Sequence, residues 1–205
     1  DETDLREIAK LPFAPNFKRF SSYSTELTPA IIEALKAFPK FRNLTLPASR
    51  ADDALLHALA SDLPTLKHLA LSYLTTTNDE SRSVTTKGIA ELSRMETLRL
   101  DVPDKETGKD WCRVIGGFRD LRDLALDRGD HGGLGEIAKV PDLNRLTLSF
   151  SPVALDDSAI ANLSKMKMLR YLDLRTTPAT AAQTKALAAA LPKCWIIWDQ
   201  GSIKP

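Results

Sequence analysis

Four aspartates recur at one interval: Asp101 and Asp104 are each followed 26 residues later by Asp127 and Asp130. Carboxylates spaced by a structural repeat stack in space, and such an oxygen-rich cluster suits calcium. Lys105 and Arg128 are interleaved with them and can neutralise their repulsion, and the glycine-bearing pattern of a calcium loop is missing. Metal is therefore the weaker reading of Asp101, Asp104, Asp127 and Asp130, and no cofactor is expected. The three histidines are scattered: His57 on a helical stretch, His68 on a strand, His131 in a glycine-rich turn. His68 has Asn43 and Thr97 as lateral neighbours in the register derived below and no acid in its row, so no nucleophile–base–acid set can be built from it. Gly132, Gly133 and Gly135 lack the lysine and Ser/Thr that complete a phosphate loop. An enzyme is not expected. What remains is binding chemistry, carried by Arg99, Asp101, Asp123, Asp127, Arg145, Tyr171, Asp173 and Arg175.

The elements that position these residues follow from one stretch, LRYLDLRTTPATAAQTKALAAAL (169–191). Leu169, Leu172 and Leu174 form an LxxLxL strand signature, a polar turn follows, and Thr184, Leu187 and Leu191 lie at helical spacing. One strand, one turn and one helix cannot bury their own apolar faces, so the unit needs stacked copies. Copies begin at 17, 41, 66, 95, 121, 143, 169 and 194, with intervals of 24, 25, 29, 26, 22, 26 and 25 residues. A period in the twenties with this triplet predicts a leucine-rich repeat solenoid. The fold class is α/β: a right-handed solenoid of about 7–8 repeats, with a parallel sheet on the concave side and helices on the convex side.

Counting back from each triplet finds the helix stripe: Phe38, Leu35 and Ile32; Leu92 and Ile89; Phe118, Ile115 and Cys112; Val140, Ile137 and Leu134; Met166, Leu163 and Ile160. Leu59 and Leu63 serve the repeat before Leu66. The phrases LTPAIIEAL, ADDALLHAL, VTTKGIAEL and ATAAQTKAL superimpose without gaps, which puts Thr28, Asp52, Thr85 and Thr180 at one position, where a side-chain oxygen caps the helix. Leu5, Ile8 and Leu11 recur every three residues before Pro12 and read as an N-terminal capping helix. The leucine-poor FKRFSSYS fits a first strand paired on one side only.

Alternation sends the residues between the leucines to the face opposite the helices. Three columns result: Arg19, Asn43, His68, Thr97, Asp123, Arg145, Tyr171; Ser21, Thr45, Ala70, Arg99, Ala125, Thr147, Asp173; and Tyr23, Pro47, Ser72, Asp101, Asp127, Ser149, Arg175. Charge concentrates in the later repeats, with Arg145 between Asp123 and Tyr171. These residues form either a partner-binding face or solvated cross-strand ion pairs.

The triplet with its turn phrase, as in LRYLDLRTT, resembles the LxxLxLxxTxVTDxGLxxL pattern of the ribonuclease-inhibitor-like and cysteine-containing leucine-rich repeats, abundant in bacterial and notably planctomycete proteins. The resemblance covers about Phe17 to Trp198 and implies a curved parallel sheet that binds partner proteins. The sequence departs from it in three ways: the family's cysteine positions lack cysteine, the Leu66 repeat carries TTTNDESRS (75–83), and the Leu121 repeat is shortened to DRGDHGGLGEIAKV. Gly129, Gly132, Gly133 and Gly135 in the last segment favour a tight, irregular link.

The unbroken register predicts one domain over 1–205, with a cap helix in 1–16, repeats in 17–193, and an irregular last strand and cap in 194–205. In the last strand Cys194, Ile196 and Trp198 point inward. Lys plus Arg is 28 against 27 Asp plus Glu, a net charge of +1 without the basic excess of a nucleic-acid binder. No apolar run is long enough to span a bilayer. Cys112 and Cys194 lie three repeats apart, roughly 15 Å at the strand spacing, too far for a disulfide; two unpaired thiols are expected. The start at Asp1 leaves open a removed signal peptide or a trimmed chain, with an extracytoplasmic location preferred. The expectation is a monomeric, non-enzymatic scaffold that binds an unidentified protein on its concave face. The alternatives are a small-ligand or glycan receptor using Tyr171, Tyr23 or the C-terminal tryptophans, and a structural module of a longer protein.

Overall fold

Apolar residues at alternate strand positions and at every third or fourth helix position cannot be buried within one repeat, so each repeat hands its apolar faces to the next. The computed structural model describes residues 2–46, 51–71, 84–102, 105–128, 132–149 and 153–205, the side chains of 105–107 excepted. Pro47, Ser72, the insertion 75–83, Asp104, Gly129, Asp130 and His131 lie outside the described residues.

The chain runs α1 (Glu2–Ile8), β1 (Arg19–Ser21), α2 (Pro29–Leu35), β2 (Asn43–Leu46), α3 (Asp53–Asp62), β3 (His68–Leu71), α4 (Thr86–Glu91), β4 (Thr97–Asp101), α5 (Lys105–Ile115), β5 (Asp123–Asp127), α6 (Leu134–Ile137), β6 (Arg145–Ser149), α7 (Asp157–Leu163), β7 (Tyr171–Asp173), α8 (Ala181–Ala190), β8 (Trp195–Trp198) and β9 (Gly201–Ile203). The strands make one sheet in sequence order, with β1 to β8 parallel. The pairing register follows the columns read from the triplets. Asn43, His68, Thr97, Asp123, Arg145 and Tyr171 pair in succession, as do Thr45, Ala70, Arg99, Ala125, Thr147 and Asp173.

Leu44, Leu69, Leu98, Leu124, Leu146, Leu172 and Ile196 stack in one buried file, and Leu46, Leu71, Leu100, Leu126 and Leu148 in a second. Each leucine contributes up to about 1.5–3 kcal/mol through burial. The helix stripe closes the other side of this core, with Ile160 partly exposed. Trp111, which the stripe spacing leaves out, is buried in α5 and is among the largest core side chains. Thr28, Asp52, Thr85 and Thr180 each accept a backbone N–H at a helix start, as does Asp156. Thr180 completes a capping box with Gln183. Thr85 also donates to Asp53 Oδ2 (2.6 Å), tying one repeat's turn to the preceding helix.

Three expectations are corrected. At the N-terminus α1 stops at Ile8, so Leu11 falls beyond the helix and is exposed, leaving Leu5 as its fully buried residue. At the C-terminus the segment read as an irregular strand and tail is regular. Trp195 continues the Tyr171 row, and the chain then turns back so that β9 pairs antiparallel with β8, Ile203 opposite Ile196. Gly201, at φ 148°, adopts a backbone geometry at this hairpin that L side chains rarely reach. In the shortened repeat Gly133 serves close approach rather than unusual backbone. Gly133 has ordinary helical dihedrals, but a Cβ there would lie 2.5 Å from Cys112 Sγ. At the end of α5, a Cβ on Gly116 would lie 2.5 Å from the Glu136 carbonyl oxygen.

Cys112 and Cys194 are both buried and joined in no disulfide, and burial pushes the Cys194 thiol up to about 11. No helix among the described residues is long and apolar enough to cross a membrane. The glycine contacts predict that Gly116→Ala lowers stability by about 1–3 kcal/mol through overpacking against α6. Gly135→Ala, whose nearest new neighbour would be an Asn162 side-chain atom at 3.4 Å, leaves stability unchanged or raises it. Urea denaturation of the two variants checks the contrast.

Candidate functional site

The face of the sheet away from the helices carries two linked rows of charge in its C-terminal half. The first crosses the strands. Arg145 Nε stands 3.6 Å from Asp123 Oδ2, an ion pair beyond hydrogen-bond length. The Arg145 guanidinium lies over the Tyr171 ring, 4.2 Å from its centroid. Tyr171 meets Trp195 edge to face, centroids 5.6 Å apart at 89°. Lys204, on the tail just beyond β9, places its Nζ 5.6 Å from the Trp195 centroid. Acid, cation, ring, ring and cation thus follow each other across β5, β6, β7, β8 and the tail, each held by its neighbours.

The second row is built on buried carboxylates. Arg99 Nε and Nη2 donate to Asp127 Oδ2 at 3.0 and 2.8 Å, and Ser149 Oγ donates to Asp127 Oδ1 at 2.6 Å, so both oxygens are satisfied. Arg175 Nε and Nη2 donate to Asp173 at 3.0 and 2.6 Å, joined by the Arg175 backbone N–H (3.1 Å) and the Tyr171 hydroxyl (3.3 Å). The two ends of each pair differ in exposure. The Asp127 and Asp173 side chains are 5% and 6% exposed, whereas those of Arg99 and Arg175 are 46% and 61% exposed. The acids form a floor and the guanidinia stand over it. Between them is a groove of about 470 Å³ lined by Arg99, Arg145, Thr147, Ser149, Tyr171, Arg175 and Thr176, with the buried Asp173 beneath Arg175. Thr176 has φ 61°, an uncommon backbone for a β-branched residue, and its N–H donates to Asp199 Oδ1 (2.8 Å).

All eight predicted face residues are described, and seven of them form these rows. Asp101 pairs with Asp127 on the neighbouring strand, as their common offset predicts. Of the two readings of these charges, solvated cross-strand ion pairs describe Arg145 and Asp123, both partly exposed, whereas Asp101, Asp127 and Asp173 are buried. Column reading also missed the partners. Arg99 reaches diagonally to Asp127, two positions along the next strand, and Arg175 reaches back from the turn after β7 to Asp173; neither is a lateral neighbour. Lys204 joins the row only because the tail forms β9. Half of the calcium cluster, Asp104 and Asp130, lies outside the described residues, and Asp127 has both oxygens committed to Arg99 and Ser149. Among the described residues no group of three or more His, Cys, Asp or Glu is arranged to hold a metal. His68 has its Nδ1 2.9 Å from Thr97 Oγ1 and does not line the groove.

The carboxyls differ in proton affinity. Burial pulls Asp173 upward, but the hydrogen bonds from Arg175 and Tyr171 outweigh it and hold the carboxyl below its ordinary value. Asp123 is raised: its burial outweighs the opposing charges of Arg145, His68 and Arg99. Burial and the neighbouring Asp173 charge push the Tyr171 hydroxyl upward as well, which keeps it a hydrogen-bond donor.

No protein-family profile matches the chain, and no curated protein matches it by sequence. Among solved structures it is similar to internalin C2 from Listeria monocytogenes str. 4b F2365, at 19% identity and a TM-score of 0.57 over 96% of this chain and 73% of that one. At that identity the likeness concerns the fold. With the in-register strands and the repeat period, it establishes an α/β leucine-rich repeat solenoid.

The carboxyls predict opposite behaviour for two substitutions. The folded Asp173 binds its proton less tightly than the unfolded chain does, so its contribution is present above the ordinary value of 3.8 and is lost as pH falls through the lower folded value. For Asp123 the folded value is the higher one, so its contribution favours folding below 3.8 and is lost as pH rises through the raised value. Asp173→Asn should cost about 1–3 kcal/mol at neutral pH, with the deficit shrinking as pH falls below the carboxylate range. Asp123→Asn should equal or exceed the parent at neutral pH. Urea denaturation across pH checks both.

Proposed function

We propose that the open face binds a protein partner, with the contact centred on Arg145, Tyr171 and Trp195 and flanked by Arg99 and Arg175. The observation that carries this reading is the stacked row itself. Arg, Tyr and Trp are the residue types that dominate interface energetics, and here they share one uncovered sheet face, already ordered by mutual contacts. Ordering before binding reduces the conformational entropy lost in the complex. The mixed charges would set orientation and partner choice more than raw affinity.

A glycan or small-ligand receptor is supported less well. A stacking platform needs an open ring face, but Arg145 lies over Tyr171, Lys204 approaches the face of Trp195, and the two rings meet edge to face. Tyr23, the other candidate, is exposed just beyond β1, at the opposite end of the sheet from the groove. Ser149, which lines the groove, donates to an aspartate committed to Arg99, so its hydroxyl is a structural contact of the charge row.

Arg145→Ala combined with Tyr171→Ala should reduce recovery of the bound partner about tenfold or more in quantitative co-purification, whereas Tyr23→Ala should leave it unchanged. Equal recovery with the double variant would remove this face from the account.

A further inference from the structure

The groove has a polarity that the protein-binding reading does not by itself specify. Asp127 and Asp173 lie beneath the surface and the Arg99 and Arg175 guanidinia above them, so an approaching group meets N–H donors first. Each guanidinium has five N–H groups. Arg99 turns two of them, on Nε and Nη2, down to Asp127, and Arg175 turns two down to Asp173. The others make no hydrogen bond among the described residues, on side chains 46% and 61% exposed, and Arg145 and Thr147 line the same groove. A half-exposed arginine fork over a buried carboxylate suits planar, bidentate recognition of a second carboxylate.

The charge sum selects the kind of anion. Three arginines (Arg99, Arg145, Arg175) are balanced by three aspartates (Asp123, Asp127, Asp173), so the site has directed donors without surplus positive charge. A phosphate dianion would leave about two uncompensated charges at the groove, and a carboxylate only one. Nucleic acid is disfavoured on the same ground, since its binding depends on an excess of cations.

From this polarity and balance we infer that the groove between Arg99, Arg145 and Arg175 is a receptor for a carboxylate, supplied by an aspartate or glutamate side chain of the protein partner. This rests on the protein-binding reading and names the chemistry of the partner's anchor. The carboxylate accepts from the outward N–H groups of Arg175 and Arg99 while Arg145 stays over Tyr171, so the aromatic row forms one wall of the acid's seat.

The test is selection of a random peptide phage library on the whole chain, followed by fluorescence anisotropy with synthetic versions of the enriched peptides. The inference expects enriched peptides with a fixed Asp or Glu. Changing that residue to its amide should weaken binding about tenfold or more, and phosphoserine in its place should not restore it. Arg145→Ala should produce a similar loss, as should the paired change Asp173→Asn with Arg175→Gln, which avoids leaving Asp173 buried and uncompensated; circular dichroism confirms that each variant is folded. Should the paired variant not fold, Arg145→Ala, at an ion pair with both ends partly exposed, carries the test. Peptides whose binding depends on Arg145 and Tyr171 but on no acidic residue, or that bind more tightly as phosphopeptides, would overturn the carboxylate receptor and leave the protein-binding reading standing. Selection that yields no peptide dependent on this face would overturn both.

Discussion

Everything on the open face depends on the lateral stacking of Leu44, Leu69, Leu98, Leu124, Leu146, Leu172 and Ile196. Side chains alternate along a strand, so a slip of one residue would drive a leucine into water and an arginine into the core. With both faces of each strand specified, parallel pairing has one low-energy register, and it places Asp123, Arg145, Tyr171 and Trp195 side by side. The helices follow the same period, with their starts fixed by Thr28, Asp52, Thr85, Asp156 and Thr180. Where the period shortens, α6 contracts to four residues and Gly116 and Gly133 supply the close approach it needs.

The same register explains why buried acids are tolerated. An isolated buried carboxylate is costly, and a buried pair offsets that cost only when its lone pairs are satisfied. Asp127 receives Arg99 and Ser149 from the strands on either side, and Asp173 receives Tyr171 from its own strand and Arg175 from the turn that follows it. Acid below and base above turns these pairs from surface decoration into oriented supports for half-exposed guanidinia.

Much of this was legible in the sequence because it is periodic. Counting between leucines finds the strands, columns and helix stripe, since a single spacing rule generates them. The rule fails where contacts leave the period. Arg99 to Asp127 is a diagonal, and Arg175 reaches back to Asp173 from the turn after β7, so the columns place the right residues on the right face without giving their partners or the burial of the acids. Trp111 sits one position off the stripe and fills the core because of its size. Lys204 belongs to the aromatic row through a hairpin whose signal was only Gly201 and a short apolar run.

The two halves of the face differ accordingly. Across β2 and β3 it presents small or uncharged side chains such as Asn43, Thr45 and Ala70, while β4 to β8 and the turn after β7 carry the linked arginines, their acids and the rings. The central claim is that the arginines of this second half stand where they do because buried aspartates hold them. A double-mutant cycle on stability with Arg99→Met and Asp127→Asn tests it most directly. A coupling energy of about 1–2 kcal/mol is predicted, below the value for a fully buried charged hydrogen bond because Arg99 is half exposed. Coupling within about 0.5 kcal/mol of zero, the additivity of independent sites, would contradict it.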